Sequence, residues 1–163
     1  MKLIVALGVL LAQAPAQTST QTSTQASTKV LTQVSTQSAC VFSAPAGWNQ
    51  TTTRWDGACR DGHADGLGVL KDYQQAKVVR FFFGRLEHGE LKLGVIDQPQ
   101  GFVAAEFAKG EAVPSEDPQR TVSAFAEAEK AANEAASRFS KAGKQASAQF
   151  YAAKAKELRE QLD

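Results

Sequence analysis

A chain of 163 residues with 18 Lys and Arg against 17 Asp and Glu has room for one modest domain plus appendages. Its formal net charge of +1 is too small to draw it to nucleic acid or to an anionic membrane. The balance is also local, with eight basic and eight acidic side chains over residues 40–110 and eight against nine over 111–163, so no nucleic-acid partner is expected.

The N-terminus carries a lone cation at Lys2, an apolar run from Leu3 to Ala12, and small residues at Ala14 and Ala16. This is the layout of a secretory signal over residues 1–16, with cleavage expected after Ala16. The apolar run covers ten residues where a membrane span needs about twenty, which disfavours an anchor. The protein is therefore expected to be exported, to a periplasm or to the outside of the cell.

Residues 17–38 are expected to form a tether. From Thr18 to Gln37 the chain repeats in fours, as in Thr-Ser-Thr-Gln, and eleven of these twenty residues are Ser or Thr. With three large apolar side chains and no aromatic one, the segment cannot bury enough surface to offset the entropy of ordering it.

The folded part begins near Cys40. Cys40 and Cys59 are the only cysteines, and two in an exported chain point to one structural bridge, where a redox pair would need a closer spacing and an activated thiol. Thr51 to Cys59 and Ala64 to Tyr73 read as two strands, joined by a tight turn at Arg60-Asp61-Gly62-His63 in which Gly62 takes positive φ. Gly57, Gly66 and Gly68 inside these strands would normally weaken them, so they are expected to leave room for a large neighbour such as Trp55 or for the next hairpin to pack closely.

The spacing of Trp55, Gly57, Gly62, Gly66 and Gly68 resembles the MORN repeat, and Cys59 after Gly57 resembles a secreted bacterial variant of it. A second copy is visible at Phe82, Gly84 and Gly89, after which Leu93 and Val95 stand in the places of the last two glycines and Gly94 is one place out. A third, at Val103 to Gly110, keeps an apolar residue, Ala105 for glycine, and Gly110. The resemblance implies a stack of antiparallel hairpins over residues 39–112. It also links the chain to phospholipid contact, which the absence of a basic face weighs against.

Val78-Val79-Arg80-Phe81-Phe82-Phe83 is apolar on both faces apart from Arg80 and so reads as a strand covered on two sides. Left uncovered, Phe81 and Phe83 would mark a partner surface together with Phe125 and Phe139 of the helix that follows. Gln98-Pro99-Gln100-Gly101 is a turn before a last strand, Phe102 to Phe107.

Asp117-Pro118 announces a helical segment over residues 117–163, with a side-chain acceptor at the cap and proline at the first position. Its apolar stripe is thin, and thirteen alanines between Pro118 and Leu162 favour helix while adding little hydrophobic area. A bend at Gly143 is preferred to one straight rod. Phe125, Phe139 and Phe150, spaced by fourteen and then eleven residues, are expected to lie roughly along one side of the helix, covered by the Val78–Phe83 strand, by a folded-back helix or by a second molecule, with cover from within the chain preferred.

The fold class expected is thus α+β: a small antiparallel hairpin sheet followed by a long helix or helical hairpin. The catalytic inventory is empty. His63 and His88 sit at hairpin turns, Asp61, His63 and Asp65 do not converge on a metal, and no nucleophile elbow, phosphate loop or dinucleotide fingerprint occurs, so no catalytic residue, cofactor or metal is expected. The expectation is a non-catalytic interaction or structural module meeting a protein partner. A lipid- or glycan-surface binder is the alternative, and an enzyme accessory domain the third class.

Overall fold

The computed structural model describes residues 40–162; the expected signal segment and tether lie outside them. Six strands, β1 (Thr53–Arg60), β2 (His63–Gln74), β3 (Lys77–Glu87), β4 (Glu90–Gln98), β5 (Gly101–Ala108) and β6 (Glu111–Val113), form one antiparallel sheet in sequence order. Two helices follow, α1 (Pro118–Lys141) and α2 (Gln145–Arg159). The architecture is the α+β hairpin sheet with a helical hairpin.

Three turns at one end of the sheet share one chemistry. Asp61-Gly62, His88-Gly89 and Lys109-Gly110 all have positive φ at both residues, as a two-residue hairpin loop requires when it follows the twist of its strands. Residues 40–46 run across these turns as a strap. The Val41 N–H donates to the Gly62 carbonyl, that of Ser43 to Gly89 and that of Ala46 to Gly110, each at 2.8 Å. The Cys40–Cys59 disulfide ties the start of the strap to β1. The strap thus satisfies turn carbonyls and holds the three hairpins at a common level.

Glycines inside the strands serve a different purpose. Gly57 of β1 faces Gly68 of β2, and the Trp55 ring lies over both, so that a Cβ added at either would come within 2.2 to 2.4 Å of the indole. Gly84 of β3 faces Gly94 of β4 under the Phe82 ring, where added carbons would sit 2.7 to 2.8 Å from its tip and closer still to the facing backbone. Gly94, one place out of the repeat spacing, thus still faces Gly84. Between the glycine pair and the turn, β2 carries two residues more than β1, whereas β4 carries one more than β3, so the shorter irregularity returns Gly94 to register with Gly84. Gly66 does not leave room for a neighbour as expected: a Cβ there would meet nothing within 4 Å, and its φ of +91° in the longer irregularity is what calls for glycine.

The sheet is buried on both faces. On one side Leu70, Phe82, Leu86, Leu91 and Phe107 pack with Phe42, Trp48 and Trp55, so the strap and its continuation form the cover. On the other, Val69, Phe83 and Val95 pack under the alanines of α1 and under Tyr151 of α2. The alternation along β3 divides Phe82 from Phe81 and Phe83 accordingly.

Asp117 caps α1, its carboxylate accepting from the Gln119 N–H at 2.9 Å. At the other end Gly143, with φ of +72°, lets the Gly143 and Lys144 N–H groups donate to the Ser140 and Phe139 carbonyls, closing the helix and reversing the chain. Phe150 therefore belongs to a separate helix from Phe125 and Phe139. The expected single stripe of Phe125, Phe139 and Phe150 does not form, because the chain reverses at Gly143.

Candidate functional site

The sheet and the helical hairpin diverge near the β2–β3 turn, leaving a cleft of about 450 Å³. Its walls are aromatic. Phe81 stacks on Phe83 at 5.5 Å, Phe150 tilts over Phe81 at 5.5 Å, and Tyr151 lies edge-on to Phe150 at 5.1 Å and flat against Phe139 at 5.2 Å. Phe150 is 41% exposed at the rim. The other helix-side rings are spent on packing, with Phe125 edge-on to Phe102 at 5.8 Å.

Lys71 brings charge into this aromatic setting. Its Nζ donates to Asp56 Oδ2 at 2.9 Å and lies 5.6 Å from the centre of the Phe139 ring. Asp56 is shared, since Arg138 of α1 reaches its Oδ1 at 3.2 Å and donates to its backbone carbonyl at 2.8 Å. One carboxylate thus serves two cations. Lys144, exposed at the helix turn, brings a further ammonium to 5.8 Å from the same ring. Ser147 and Tyr73 contribute hydroxyls to the lining.

Burial works against the Lys71 ammonium, but Tyr151 and Asp56 outweigh it and hold its pKa above the ordinary lysine value. Burial pushes the Tyr151 phenol up, partly offset by Lys71 beside it. On the far side of α2, Lys154 is held above its usual range because Asp97 and Glu157 together overcome its desolvation.

The residues singled out in the sequence fall into three places. Cys40, Cys59, Gly62 and Gly89 belong to the strap and the turns it crosses; Trp55, Gly57, Gly68, Phe82 and Gly84 form the ring-over-glycine layers, with Gly66 beside the first. Of the candidate partner surface, Phe83 and Phe125 are interior, 0% and 8% exposed, so that part of the surface is core covered by the chain's own helices. Phe81 and Phe139 are half-buried in the walls of the cleft. The cleft brings in residues the sequence did not mark: Lys71, Tyr73, Ser147, Phe150 as a rim residue, and Tyr151. A chain reversal at Gly143 is the signal that would have set α2 against β2 and β3.

His63 and His88 are exposed in their turns. Among the described residues no cluster of His, Cys, Asp and Glu is arranged to hold a metal ion, and no helix is long and apolar enough to cross a membrane. Compared with known proteins, the chain matches no family model, no curated protein and no solved structure.

Proposed function

We propose that residues 40–162 form a non-catalytic protein-binding module of an exported protein, built on MORN-like hairpins, with the aromatic cleft as its contact face. The observation that carries this reading is Phe150, a large apolar ring left 41% exposed at the rim of a cleft whose other walls are aromatic. Exposed rings beside a concave apolar surface are what partner sites are made of. The Cys40–Cys59 bridge is consistent with an oxidising compartment outside the cytosol. The repeated ring-over-glycine layers support the MORN-like assignment, since they give the spaced glycines of both hairpins a common role.

The test is site-directed photo-crosslinking in the producing cell. A photoreactive phenylalanine analogue replaces Phe150, and the same analogue replaces Lys156, whose side chain is 77% exposed, as the control. A discrete adduct from position 150 and none from position 156 supports the reading. Absence of an adduct at position 150, or equal adducts at both, removes the cleft as the contact face.

A further inference from the structure

We infer that the cleft takes the C-terminal residue of a partner chain, an aromatic side chain with the free carboxylate beside it. This rests on the reading of the cleft as the contact face. The first argument is charge. Lys71 and Tyr73 of β2 and Tyr151 of α2 line the cleft; Asp56 of β1 pairs with Lys71 and with Arg138 of α1 outside the lining, and Lys144 of the helix turn lies 5.8 Å from the centre of the Phe139 ring. Glu134 lies beyond Arg138 at 3.9 Å. Lys71 and Arg138 are balanced by Asp56 and Glu134, so the charge left over is that of Lys144, exposed beside the Phe139 wall. Arg138 holds both the side chain and the backbone carbonyl of Asp56, so Lys71 can turn a proton to an incoming carboxylate without leaving Asp56 uncompensated.

The second argument is shape. The walls of Phe81, Phe139, Phe150 and Tyr151 suit a ring, and the Lys71 and Lys144 ammonium groups lie 5.6 and 5.8 Å from the centre of Phe139, so ring and carboxylate would lie next to each other. About 450 Å³ admits one residue and part of the next. A residue inside a chain would need two exits and would bring a neutral carbonyl to Lys71; a terminal residue needs one exit and brings a charge.

Fluorescence anisotropy with the disulfide-bonded protein tests this. The probes are a labelled pentapeptide ending in phenylalanine as the free acid, its C-terminal amide, and the free acid ending in alanine. The free aromatic acid should bind about tenfold or more tightly than either of the others, reflecting loss of a charge-assisted hydrogen bond or of the ring. Phe150→Ser, at an exposed position where folding is retained, should weaken it, and Lys144→Ala should narrow the gap between acid and amide. Lys71→Met, checked for native circular dichroism, should close that gap. Equal binding of acid and amide, or no binding of any peptide while position 150 still crosslinks, overturns the chain-end inference and leaves the contact face standing. Loss of both the crosslink and peptide binding overturns both.

Discussion

Trp55 and Phe82 do the same work one hairpin apart, and the glycines beneath them are fixed by contact distance. At Gly84 an added Cβ would sit 2.3 Å from the Leu93 carbonyl oxygen, and at Gly68 it would sit 2.7 Å from that of Asp56, so backbone as well as ring would have to move. Gly68→Ala and Gly84→Ala should each cost about 3 kcal/mol, the upper end of ordinary overpacking. Gly62→Ala, with nothing within 4 Å but φ of +79°, should cost about 1 kcal/mol, the strain of a left-handed residue. Urea midpoints would rank the three; equal midpoints would dismiss the contact argument. Arg80 is the other decisive single residue. The sequence left it as the polar exception in an apolar strand, and the structure shows it donating to buried Asp72 at 2.8 Å while lying 4.9 Å over the Trp48 ring. Arg80→Met leaves the Asp72 carboxylate, 2% exposed, without its cation and should destabilise by about 3 kcal/mol. Arg80→Met with Asp72→Leu should recover much of the loss. If the double variant is no more stable than the single one, the cost lies in the contact with Trp48.

Among the elements, the strap is the one the sequence hid. The bridge was legible from two cysteines, and the hairpins from their glycines and alternation, because both signals are local. That residues 41, 43 and 46 would hydrogen-bond to three successive turns was not legible: the partners are up to 64 residues apart, and no residue type marks a strand that crosses the ends of others. Replacing Cys40 and Cys59 by Ala should cost about 3 kcal/mol, the loop entropy the bridge removes from the unfolded chain. It should also speed hydrogen exchange at Val41, Ser43 and Ala46 more than at the β3–β4 ladder. Uniform acceleration would place the effect in global stability alone. The same locality explains the cleft. Phe81 and Phe139 could be flagged as unpartnered rings, but their meeting with Lys71 and Tyr151 depends on the reversal at Gly143, which the sequence offered only as the preferred of two paths.

At the scale of the whole molecule, the helices and the sheet share one face and one ionic junction. Val69, Phe83 and Val95 are fully buried beneath the helices, and Asp56 joins β1, β2 and α1 through Lys71 and Arg138. Lys71 and Tyr151 both bind their protons more tightly folded than unfolded. The stability they contribute is therefore complete below their unfolded pKa values, about 10, and is lost as pH rises through the higher folded values. Denaturant midpoints should hold between neutrality and about pH 9.5 and fall above pH 10. Tyr151→Phe should reduce the slope, and a parent curve that is flat through the alkaline range would count against the junction.

The shared face makes a second demand. The alanine-rich seam brings little area per residue, so the bulk of the helix-side burial rests on a few rings, among them Phe125 against Phe102 and Phe139 against Tyr151. Replacing both phenylalanines by serine removes two of these contacts and sets hydroxyls against the seam, at a combined cost of about 4 kcal/mol or more. Because among the described residues only the helices cover the sheet on that side, it should melt with them in one cooperative transition at a lower temperature. Near-ultraviolet signals from Trp48 and Trp55, on the opposite face, would report the sheet, and the far-ultraviolet helix signal would report α1 and α2. Coincident shifts in both are expected. A helix signal that moves alone, with the tryptophan signal unchanged, would mean that the strap and the ring-over-glycine layers hold the sheet without help, and that the helical hairpin is an independent arm.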